Sequence, residues 1–545
     1  MGGNLVKPSD LYSACAGNAA SSECTDALKE IGNPFFIGDC AGGTQVSGWL
    51  NAWSPRPSAY AVAAHKPEDA VAAVNFARTH RLRLAVKGGG HSYQGTSNVA
   101  DSLLVWTRPM HAITLHDRFV PQGCITPAVP AVTIQAGAMW VDAYDAVTTK
   151  AGRYVQGGGC MSVGVAGLVQ SGGFGSFSKR YGSAASSLLQ AEIITADGKL
   201  RTVNAGNDPD LLWALKGGGG GSFGVVTSLT LETHALPEFL GAANMTIGAA
   251  SDEDFRQLLA RFVDFYAGTL FDAHWGEHVS MFPENRLSIS MASAGLSTEQ
   301  AGTLWQPFLS WIAQQGPRYS LAAPHIGSSP PRGYWDVEGM RRAGSHAIKL
   351  DDRAAANPIH GWWTGDEGQV GAFIYGYDSL WLPQSLLAPE ARAKLADALF
   401  QASREMETRL DFNKGLAGAP EEVIAAARDT ATNPKVLDAF ALAIIAVGGK
   451  PRYPGLAPTH DRKEAENGAH AVARATAILR ALAPDAGSYV SESNFFDALW
   501  RRHYWGTNYP RLAAIKAKYD SGGLFTVHHG VGSEDWSEDG FTRRM

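Results

Sequence analysis

Two spacings of apolar residues recur along the chain, one of three to four positions and one of two, and together they predict a mixture of helices and strands. Residues 66–81 have the helical spacing, and Pro67 with two acidic residues forms the first turn, as is common where a helix begins. Residues 252–266 place large apolar side chains on one helical face. Further helices are predicted over residues 390–407, 468–482 and 510–523.

Short β-rich runs lie between these helices. Residues 191–203 contain two such runs around Asp197-Gly198, a dipeptide typical of tight turns, and therefore predict a β-hairpin. Residues 130–152 predict a strand, a glycine turn and a helix, whereas residues 208–234 predict a short helix, a glycine loop and a strand. Other strands are predicted over residues 81–86, 286–295, 372–383, 440–449 and 524–530.

The pattern changes after about Pro237, where longer helices and strands replace many short strands. A chain of 545 residues is also too long for one ordinary hydrophobic core. The expected fold class is therefore α+β, with more than one domain. The predicted units are an N-terminal extension over 1–50, a first domain over 51–237, a sheet backed by helices over 238–486 and a C-terminal segment over 487–545.

The composition is that of a soluble globular protein, with 45% hydrophobic and 18% charged residues. The net charge of -6 and the lack of any run of lysine and arginine argue against nucleic acid as a partner. No apolar run is long enough to span a membrane. His325, His346 and His360 do not have metal-ligand spacing, so no metal site is expected.

Four of the five cysteines, Cys15, Cys24, Cys40 and Cys124, lie toward the N-terminus. These four cysteines could form two disulfide bonds in an oxidising compartment, and the sequence does not fix which cysteines pair. Reduced thiols in a cytosolic enzyme are about as compatible with the count. The first residues lack the basic start and apolar core of a signal peptide. We favour a secreted or periplasmic protein whose signal peptide is already removed over a cytoplasmic one.

The fifth cysteine, Cys160, lies in a dense glycine stretch, residues 154–175, in a chain with 61 glycines. Glycine lets the backbone adopt unusual dihedral angles and approach another group closely. A second cluster, Gly219-x-Gly221-x-x-Gly224, has the letters of a dinucleotide-binding motif, but a helix precedes it and a strand follows it. That order is the reverse of the required one, so the clusters instead predict a cradle of backbone N–H groups for phosphate and a flat ring.

Four segments resemble the berberine-bridge-enzyme-like flavoproteins, which belong to the wider vanillyl-alcohol-oxidase type with a PCMH-type FAD-binding domain. They are VKGGGHSYQGTSN (86–98), GGGCMSVGVAGLVQSGGFG (157–175), LLWALKGGGGGSFGVVT (211–227) and YWGTNYPRLAAIKAKYD (504–520). The resemblance runs in order over nearly all of residues 50–545. It implies a PCMH-type FAD-binding domain of two α+β subdomains, a substrate domain with an antiparallel sheet backed by helices, and a C-terminal segment that returns to the FAD-binding domain.

The resemblance implies FAD held by two covalent bonds, from His91 to the flavin 8α-methyl carbon and from Cys160 to carbon 6. An imidazole and a thiolate are nucleophilic enough to add to an electron-poor ring, and two bonds would fix the ring and tune its electronics. For each residue taken alone, a turn histidine and a buried inert cysteine are the alternatives. The other cofactor contacts implied are Gly88, Gly89, Gly90, Ser92, Tyr93, Gly157, Gly158, Val163, Gly164, Gly167, Gly173, Val225, Val226 and Asn508.

The resemblance places the catalytic base in residues 487–508, in a segment similar to the strand before the final helix. Such a base must lie within hydrogen-bond reach of the substrate hydroxyl. Glu492 matches the base position and Tyr489 comes second, and on an extended strand these two side chains would face opposite sides. Sugar oxidases of the family tend to have tyrosine here, so Glu492 leaves the substrate open, and an exposed acid is the alternative. Tyr377 and Trp381 are the expected substrate contacts, although aromatic residues are also ordinary core.

The implied function is that of an FAD-dependent oxidase acting on an alcohol or a sugar hemiacetal, with oxygen reoxidising the flavin to give hydrogen peroxide. Val163 matches the position that gates oxygen in the family, where valine goes with oxidase and isoleucine with dehydrogenase behaviour. A plain core valine is the alternative. Three other functions remain open: oxidation of an aromatic or alkaloid-like metabolite, a dehydrogenase with another electron acceptor, and a flavin-loaded binding protein without turnover. The oligomeric state also remains open.

Overall fold

The computed structural model describes residues 2–456, 461–537 and 540–544 and has the α+β architecture expected. Its strands are β1 (Leu5–Val6), β2 (Tyr60–Ala63), β3 (Arg83–Lys87), β4 (Ser102–Trp106), β5 (Ile113–Phe119), β6 (Val129–Gln135), β7 (Arg153–Val155), β8 (Leu188–Ile194), β9 (Leu200–Asn204), β10 (Val225–Ala235), β11 (Leu240–Ala249), β12 (Trp275–Phe282), β13 (Arg286–Ala294), β14 (Tyr319–Ser329), β15 (Ile348–Leu350), β16 (Gly361–Trp363), β17 (Phe373–Pro383), β18 (Thr408–Asp411) and β19 (Ala439–Gly449).

The α-helices range from single turns to rods of more than five turns. They are α1 (Ser13–Gly17), α2 (Ser22–Lys29), α3 (Pro34–Gly38), α4 (Pro67–His80), α5 (Trp140–Tyr144), α6 (Val165–Gln170), α7 (Ser178–Tyr181), α8 (Pro209–Leu215), α9 (Asp252–Phe265), α10 (Thr298–Gln314), α11 (Val337–Arg342), α12 (Pro389–Glu405), α13 (Glu421–Arg428), α14 (Lys435–Asp438), α15 (Arg462–Leu482), α16 (Trp500–Trp505) and α17 (Tyr509–Tyr519).

Three larger sheets organise the described chain. In the first, β2, β4 and β3 pair in parallel, and β1 adds an antiparallel edge. The second is antiparallel in the order β5-β6-β10-β8-β9, and β7 also pairs with β10. The third is an antiparallel seven-stranded sheet in the order β14-β11-β13-β12-β18-β19-β17. Strands β15 and β16 form a small separate pair.

Most of the predicted elements are confirmed to within a few residues. The first predicted helix is α4, the amphipathic segment is α9, and the hairpin is formed by β8 and β9. Two strand predictions are wrong: residues 524–530, all of which the structure describes, form a loop, and so do the described residues 487–499 before α16. In the second loop the Glu492 N–H donates to the Tyr489 carbonyl oxygen at 2.9 Å, which closes a tight turn.

The two faces of the third sheet differ because side chains alternate along each strand. On one face, Leu380 and Leu382 of β17 and Leu410 of β18 are buried in a core shared with α9, α12 and α15. On the other face, Arg409 and Asp411 of β18 line a cavity. The sheet therefore has an apolar face toward its helices and a charged face toward the rest of the chain.

A buried lysine on α7 joins the glycine-rich stretch to the third sheet. Lys179 Nζ donates to the carbonyl oxygens of Gly415 at 2.9 Å, Ala417 at 2.7 Å and Phe440 at 3.0 Å. An ammonium group has three N–H donors, so all three are used. Only 1% of Lys179 is exposed, and the contact fixes the end of the glycine stretch against the sheet.

The N-terminal cysteines form one disulfide bond rather than two. Cys15 is bonded to Cys24, whereas Cys40 and Cys124 are free thiols. The cellular compartment and the domain boundaries remain predictions. No helix in the described ranges has the length and apolar character needed to cross a membrane. The same ranges contain no group of three or more His, Cys, Asp or Glu side chains placed to hold a metal ion.

Candidate active site

A cavity of about 770 Å³ lies between the glycine-rich loops and the charged face of the third sheet. Cavities of roughly 300–1,000 Å³ are typical of sites for small molecules and cofactors. The loop segments that contribute to its wall lie within residues 86–97, 158–176, 219–226, 489–492 and 527–530. This cavity is the candidate active site.

Most of the predicted site residues line the cavity, although they come from distant parts of the chain. They are His91, Cys160, Gly88, Gly89, Gly90, Ser92, Tyr93, Gly158, Val163, Gly164, Gly167, Val226, Tyr377, Tyr489 and Glu492. The turn at Tyr489–Glu492 is the reason that both predicted bases reach the cavity, whereas an extended strand would have directed them apart.

Gly157 and Gly173 belong to the predicted cofactor contacts, but within the described chain they pack against other side chains and do not line the cavity. A Cβ at Gly157 would lie 2.2 Å from the Trp140 ring, and one at Gly173 would lie 2.2 Å from the Leu168 side chain. Gly173 also has a φ of +74°, a region that favours glycine. These two glycines are required by the packing of the loop itself.

Val225, Trp381 and Asn508 lie behind the wall of the cavity, among the described residues that do not line it. Val225 is buried in a core on the face of β10 opposite to Val226, as strand alternation requires. The Trp381 Nε1–H donates to the carbonyl oxygen of Lys414 at 2.7 Å. Asn508 Nδ2 donates to the carbonyl oxygen of Thr432 at 2.8 Å. All three support the wall from outside.

Other glycines bring the loops together or leave space. A Cβ at Gly89 would lie 3.0 Å from the Gly164 nitrogen, and one at Gly164 would lie 2.9 Å from the Gly89 nitrogen, so these two loops meet through their backbones. A Cβ at Gly167 or Gly220 would have no described atom within 4 Å, although both residues line the cavity. Their missing side chains therefore leave open space beside exposed backbone.

His91 follows the Gly88–Gly90 loop that begins where β3 ends. The loop is fixed by Trp53, whose Nε1–H donates to the Tyr93 carbonyl oxygen at 2.9 Å. Burial lowers the pKa of His91 to about 4. Its imidazole is therefore neutral at neutral pH and keeps a nitrogen lone pair, which is the nucleophilic form that a covalent bond to a cofactor would require.

Cys160 and Val163 begin and end one turn of the second glycine loop. The Val163 N–H donates to the Cys160 carbonyl oxygen at 3.5 Å, and the Trp363 Nε1–H donates to the Gly159 carbonyl oxygen at 3.1 Å. Burial and the neighbouring carboxyl group of Asp366 raise the pKa of the Cys160 thiol well above its ordinary value. The thiol is therefore protonated at neutral pH, whereas the thiolate is the reactive form.

Glu492 is part of a buried ion-pair cluster in the cavity wall. Lys414 Nζ donates to Glu492 Oε2 at 2.6 Å and to Oε1 at 2.7 Å, and it lies 2.9 Å from Asp411 Oδ2. Burial alone would lower the pKa of Lys414, but Asp411 and Glu492 outweigh it and raise the pKa well above its ordinary value. The ammonium group therefore stays charged and holds both carboxylate oxygens of Glu492.

Three of the tyrosines that line the cavity with Glu492 belong to the predicted site. The rings of Tyr93 and Tyr377 lie 5.2 Å apart, and Tyr489 precedes Glu492 in the turn. Burial, together with the charge of Glu492, raises the pKa of Tyr489 to about 12 and also raises the pKa values of Tyr93 and Tyr377. Their phenols stay protonated at neutral pH, so they can donate hydrogen bonds, and Glu492 is the better of the two predicted bases.

The sequence analysis missed the charged residues of the sheet face. Arg409 Nη2 lies 2.9 Å from Asp411 Oδ2, with a second contact from Nε, and His278 of β12 lies directly opposite Asp411 in the sheet. Glu277 and Asp366 also line the cavity. The available signal was the run RLDFNK (409–414), where charged and apolar residues alternate as on a strand with one polar face.

The cavity wall has polar atoms that suit a bound polar group. A buried polar atom without a hydrogen bond costs about 1–3 kcal/mol, so such atoms favour a ligand that pairs with them. Those without a partner in the described part of the chain include Gln94 Oε1, Ser222 Oγ, Asp366 Oδ2 and Asn413 Oδ1. Together with the open glycine backbone and the nucleophiles of His91 and Cys160, they fit the expected flavin nucleotide.

Comparison with known proteins gives matches at both ends of the chain. Residues 57–204 match the family described as "FAD binding domain", and residues 488–532 match the family described as "Berberine and berberine like". The FAD-linked oxidoreductase malF of Malbranchea aurantiaca is 30% identical over 493 residues, which cover 89% of this chain and 77% of that protein.

Solved structures have the same fold. The VAO-type flavoprotein MtVAO615 of Myceliophthora thermophila C1 has a TM-score of 0.80 and 23% identity, and the match covers 99% of this chain and 95% of that one. Glucooligosaccharide oxidase of Acremonium strictum, described with a 6-S-cysteinyl, 8α-N1-histidyl FAD, has a TM-score of 0.67 and 20% identity over 90% of this chain and 94% of its own. These matches confirm the expected PCMH-type α+β fold.

Proposed function

This chain belongs to the berberine-bridge-enzyme-like FAD-linked oxidoreductases of the vanillyl-alcohol-oxidase type, and we propose that it is an oxidase acting on an alcohol or a sugar hemiacetal. The general activity, FAD-dependent oxidoreduction, follows from the family. The finer proposal depends on one observation: His91, Cys160 and the ion-paired Glu492 line a single cavity. Two nucleophiles for the cofactor and one base for the substrate are thereby brought together.

We propose that FAD lies along the glycine loops that contain Gly88–Gly90 and Gly164, and that His91 and Cys160 hold its ring by two covalent bonds. The neutral imidazole of His91 supports the first bond. The linkage described for glucooligosaccharide oxidase supports both. When bound, the flavin would supply the redox chemistry, accepting hydride from the substrate and passing two electrons to oxygen to give hydrogen peroxide.

The chain's own residues would bind the substrate and remove its proton. In this proposal Glu492 accepts the hydroxyl proton at a carboxylate oxygen, within hydrogen-bond reach of the substrate. Lys414 holds that carboxylate in place through both oxygens. The protonated phenols of Tyr377 and Tyr489 donate hydrogen bonds to substrate oxygens and leave proton removal to Glu492.

Two substrate classes fit this arrangement. The shared fold with glucooligosaccharide oxidase supports a sugar or another alcohol. Glu492 at a position where sugar oxidases tend to have tyrosine, together with the Tyr93–Tyr377 ring pair, favours an aromatic or alkaloid-like compound as the second candidate. A peroxide-coupled screen over sugars, benzylic alcohols and alkaloids decides between them. If no compound reduces the flavin, a binding protein without turnover replaces the oxidase.

We predict that the flavin stays on the protein after acid precipitation. In Cys160→Ala and in His91→Ala, one bond should remain, and peptide mass spectrometry should find flavin only on the unchanged residue. The double variant should release all yellow colour into the supernatant. Cys124→Ala, which removes a free thiol that is absent from the described cavity wall, is the matched control and should keep both bonds. Release of flavin from the unmodified protein would refute the covalent attachment.

We also predict that Val163→Ile slows reoxidation of the reduced flavin by air about tenfold, a barrier change of about 1.4 kcal/mol. The added methylene would narrow the cavity beside Cys160, where Val163 closes the turn. Stopped-flow mixing of anaerobically reduced protein with oxygenated buffer measures the rate. Val527→Ile makes the same change elsewhere in the cavity wall and should have little effect. Slow reoxidation already in the unmodified protein would instead indicate a dehydrogenase.

A further inference from the structure

The segment between β14 and β17 leaves the third sheet and packs against the glycine loops. Its Trp335 and Trp362 are buried in the same core as Trp140 of α5. The β15–β16 pair stabilises it, and a 3-10 turn, Thr364–Gln369, follows directly after β16. This turn therefore lies where a side chain of the segment can reach the cavity.

The turn is attached to both loops that carry the expected covalent bonds to the cofactor. Next to it, the Trp363 Nε1–H donates to the carbonyl oxygen of Gly159, the residue before Cys160. At its end, Gln369 Oε1 accepts from the Tyr93 hydroxyl at 3.4 Å, two residues after His91. The position of the turn is thereby fixed relative to Cys160.

Asp366 of this turn lines the cavity together with Cys160, and its carboxyl group is near enough to raise the pKa of the thiol. One oxygen of this carboxyl group, Oδ2, is buried and has no hydrogen-bond partner within the described ranges. Burial raises the pKa of Asp366, which makes its carboxylate a stronger proton acceptor than an exposed one. A thiol and a carboxylate with spare acceptor capacity thus lie side by side.

The Cys160 thiol must lose its proton before it can form the covalent bond. Burial keeps the Cys160 thiol protonated, yet only the thiolate attacks an electron-poor carbon. Attachment therefore requires a proton acceptor in contact with Sγ. Lys414, whose positive charge acts on Cys160, would stabilise the thiolate once formed.

Glu277 is another carboxyl group near Cys160, and it is less suited to this role. It accepts a hydrogen bond from Ser176 and lies 3.7 Å from His278 Nδ1. Burial alone would raise the pKa of Glu277, but His278 and Ser176 outweigh it and lower the pKa. The Glu277 carboxylate already interacts with Ser176 and His278, whereas Asp366 Oδ2 has no hydrogen-bond partner in the described chain.

We propose that Asp366 accepts the proton of Cys160 Sγ when this cysteine forms its covalent bond to the flavin. The inference depends on the proposed attachment of FAD through His91 and Cys160. In the overall change the S–H bond of Cys160 and one ring C–H bond are lost and an S–C bond forms. The two electrons released pass to dioxygen. The two protons, one from the ring C–H bond and one from the thiol by way of Asp366, pass through solvent to the reduced dioxygen, which becomes hydrogen peroxide.

Asp366→Asn tests this proposal because asparagine has nearly the same shape but does not accept the proton. In purified protein that carries FAD on His91, incubated in air, attachment at Cys160 should slow by about 100-fold or more. Mass spectrometry of the Cys160 peptide, with unreacted thiol capped by alkylation after denaturation, gives the fraction attached. Alkaline buffer should restore attachment, since the thiolate then forms without a base. A purely structural role for Asp366 would give no such recovery.

Three matched variants complete the experiment. Asp366→Glu keeps a carboxyl group and should retain attachment, which also guards against misfolding of the asparagine variant. Glu367→Gln changes the exposed neighbour, whose carboxylate lies 3.4 Å from Lys349 Nζ, and should behave as the unmodified protein. Glu277→Gln should retain attachment as well. Equal loss in Glu277→Gln, or normal attachment in Asp366→Asn at neutral pH, would overturn the assignment.

The outcomes also separate this inference from the proposed function. An unmodified protein whose Cys160 peptide never carries flavin overturns the two-bond attachment and the role of Asp366 with it. Attachment that is normal in both the unmodified protein and Asp366→Asn overturns only the role of Asp366. Neither readout requires a substrate, so neither depends on which alcohol the enzyme oxidises.

Discussion

Replacing Glu492 with glutamine is expected to slow reduction of the flavin by substrate about 10²–10⁴-fold, the usual contribution of a general base. Glutamine has the same length and can still accept a hydrogen bond from Lys414 through its amide oxygen, but it does not take a proton. Substrate binding should change less than the rate of reduction, because the lost interaction belongs to proton removal. The loss should therefore appear mainly in kcat.

The measurement is anaerobic stopped-flow reduction over a range of pH with the substrate found by the peroxide screen. Glu407→Gln is the matched control, since Glu407 is another glutamate in the cavity wall and its substitution removes the same charge. Tyr489→Phe should have the smaller effect, because burial keeps its phenol protonated at neutral pH. Reduction at near-normal rate across pH in Glu492→Gln would rule out this residue as the base. A greater loss in Tyr489→Phe would transfer the role to the tyrosine.

Replacing Lys179 with methionine is expected to lower the free energy of unfolding by about 3–5 kcal/mol. The change removes the donor to three carbonyl oxygens, those of Gly415, Ala417 and Phe440. Each buried carbonyl left without a partner costs about 1–3 kcal/mol, while the methionine side chain recovers part of the loss by apolar burial. Since Lys179 follows the glycine stretch, flavin content should fall as well.

Urea unfolding followed by circular dichroism and by flavin fluorescence measures this effect. Lys29→Met is the control, because Lys29 is 66% exposed and pairs with exposed Asp26 on the protein surface. Exposed pairs contribute at most about 1 kcal/mol, so its midpoint should hardly move. A midpoint for Lys179→Met equal to that of the control would show that the three hydrogen bonds do not hold the glycine stretch to the sheet.

Local pattern was enough to predict many elements of this protein. The helical spacing of residues 66–81 and 252–266 correctly predicted α4 and α9. Asp197-Gly198 correctly predicted the turn of the β8–β9 hairpin. These predictions succeed because helix periodicity and turn chemistry depend on residues within a few positions of each other. The prediction failed at residues 487–499 and 524–530, where the described chain forms loops shaped by the elements they pack against.

The glycine-rich motifs likewise predicted His91 and Cys160 as the residues that would hold a flavin nucleotide, because each stands inside its own local motif. These glycine-rich motifs could not show which glycines face a ligand. Gly167 borders open space in the cavity, whereas Gly157 packs under the Trp140 ring, and the two are alike in sequence. Only the approach of another element distinguishes them.

The sequence by itself thus determined the order of the elements, the family and the two residues expected to bond the cofactor. Tertiary structure alone decided the surroundings of those residues. Lys414 reaches Glu492 because the turn that begins at Tyr489 faces the end of β18, and Asp366 reaches Cys160 because a segment outside the third sheet folds back over the glycine loop. Such contacts join residues far apart in the chain. Sheet register and loop packing set them, and no short stretch of sequence encodes either.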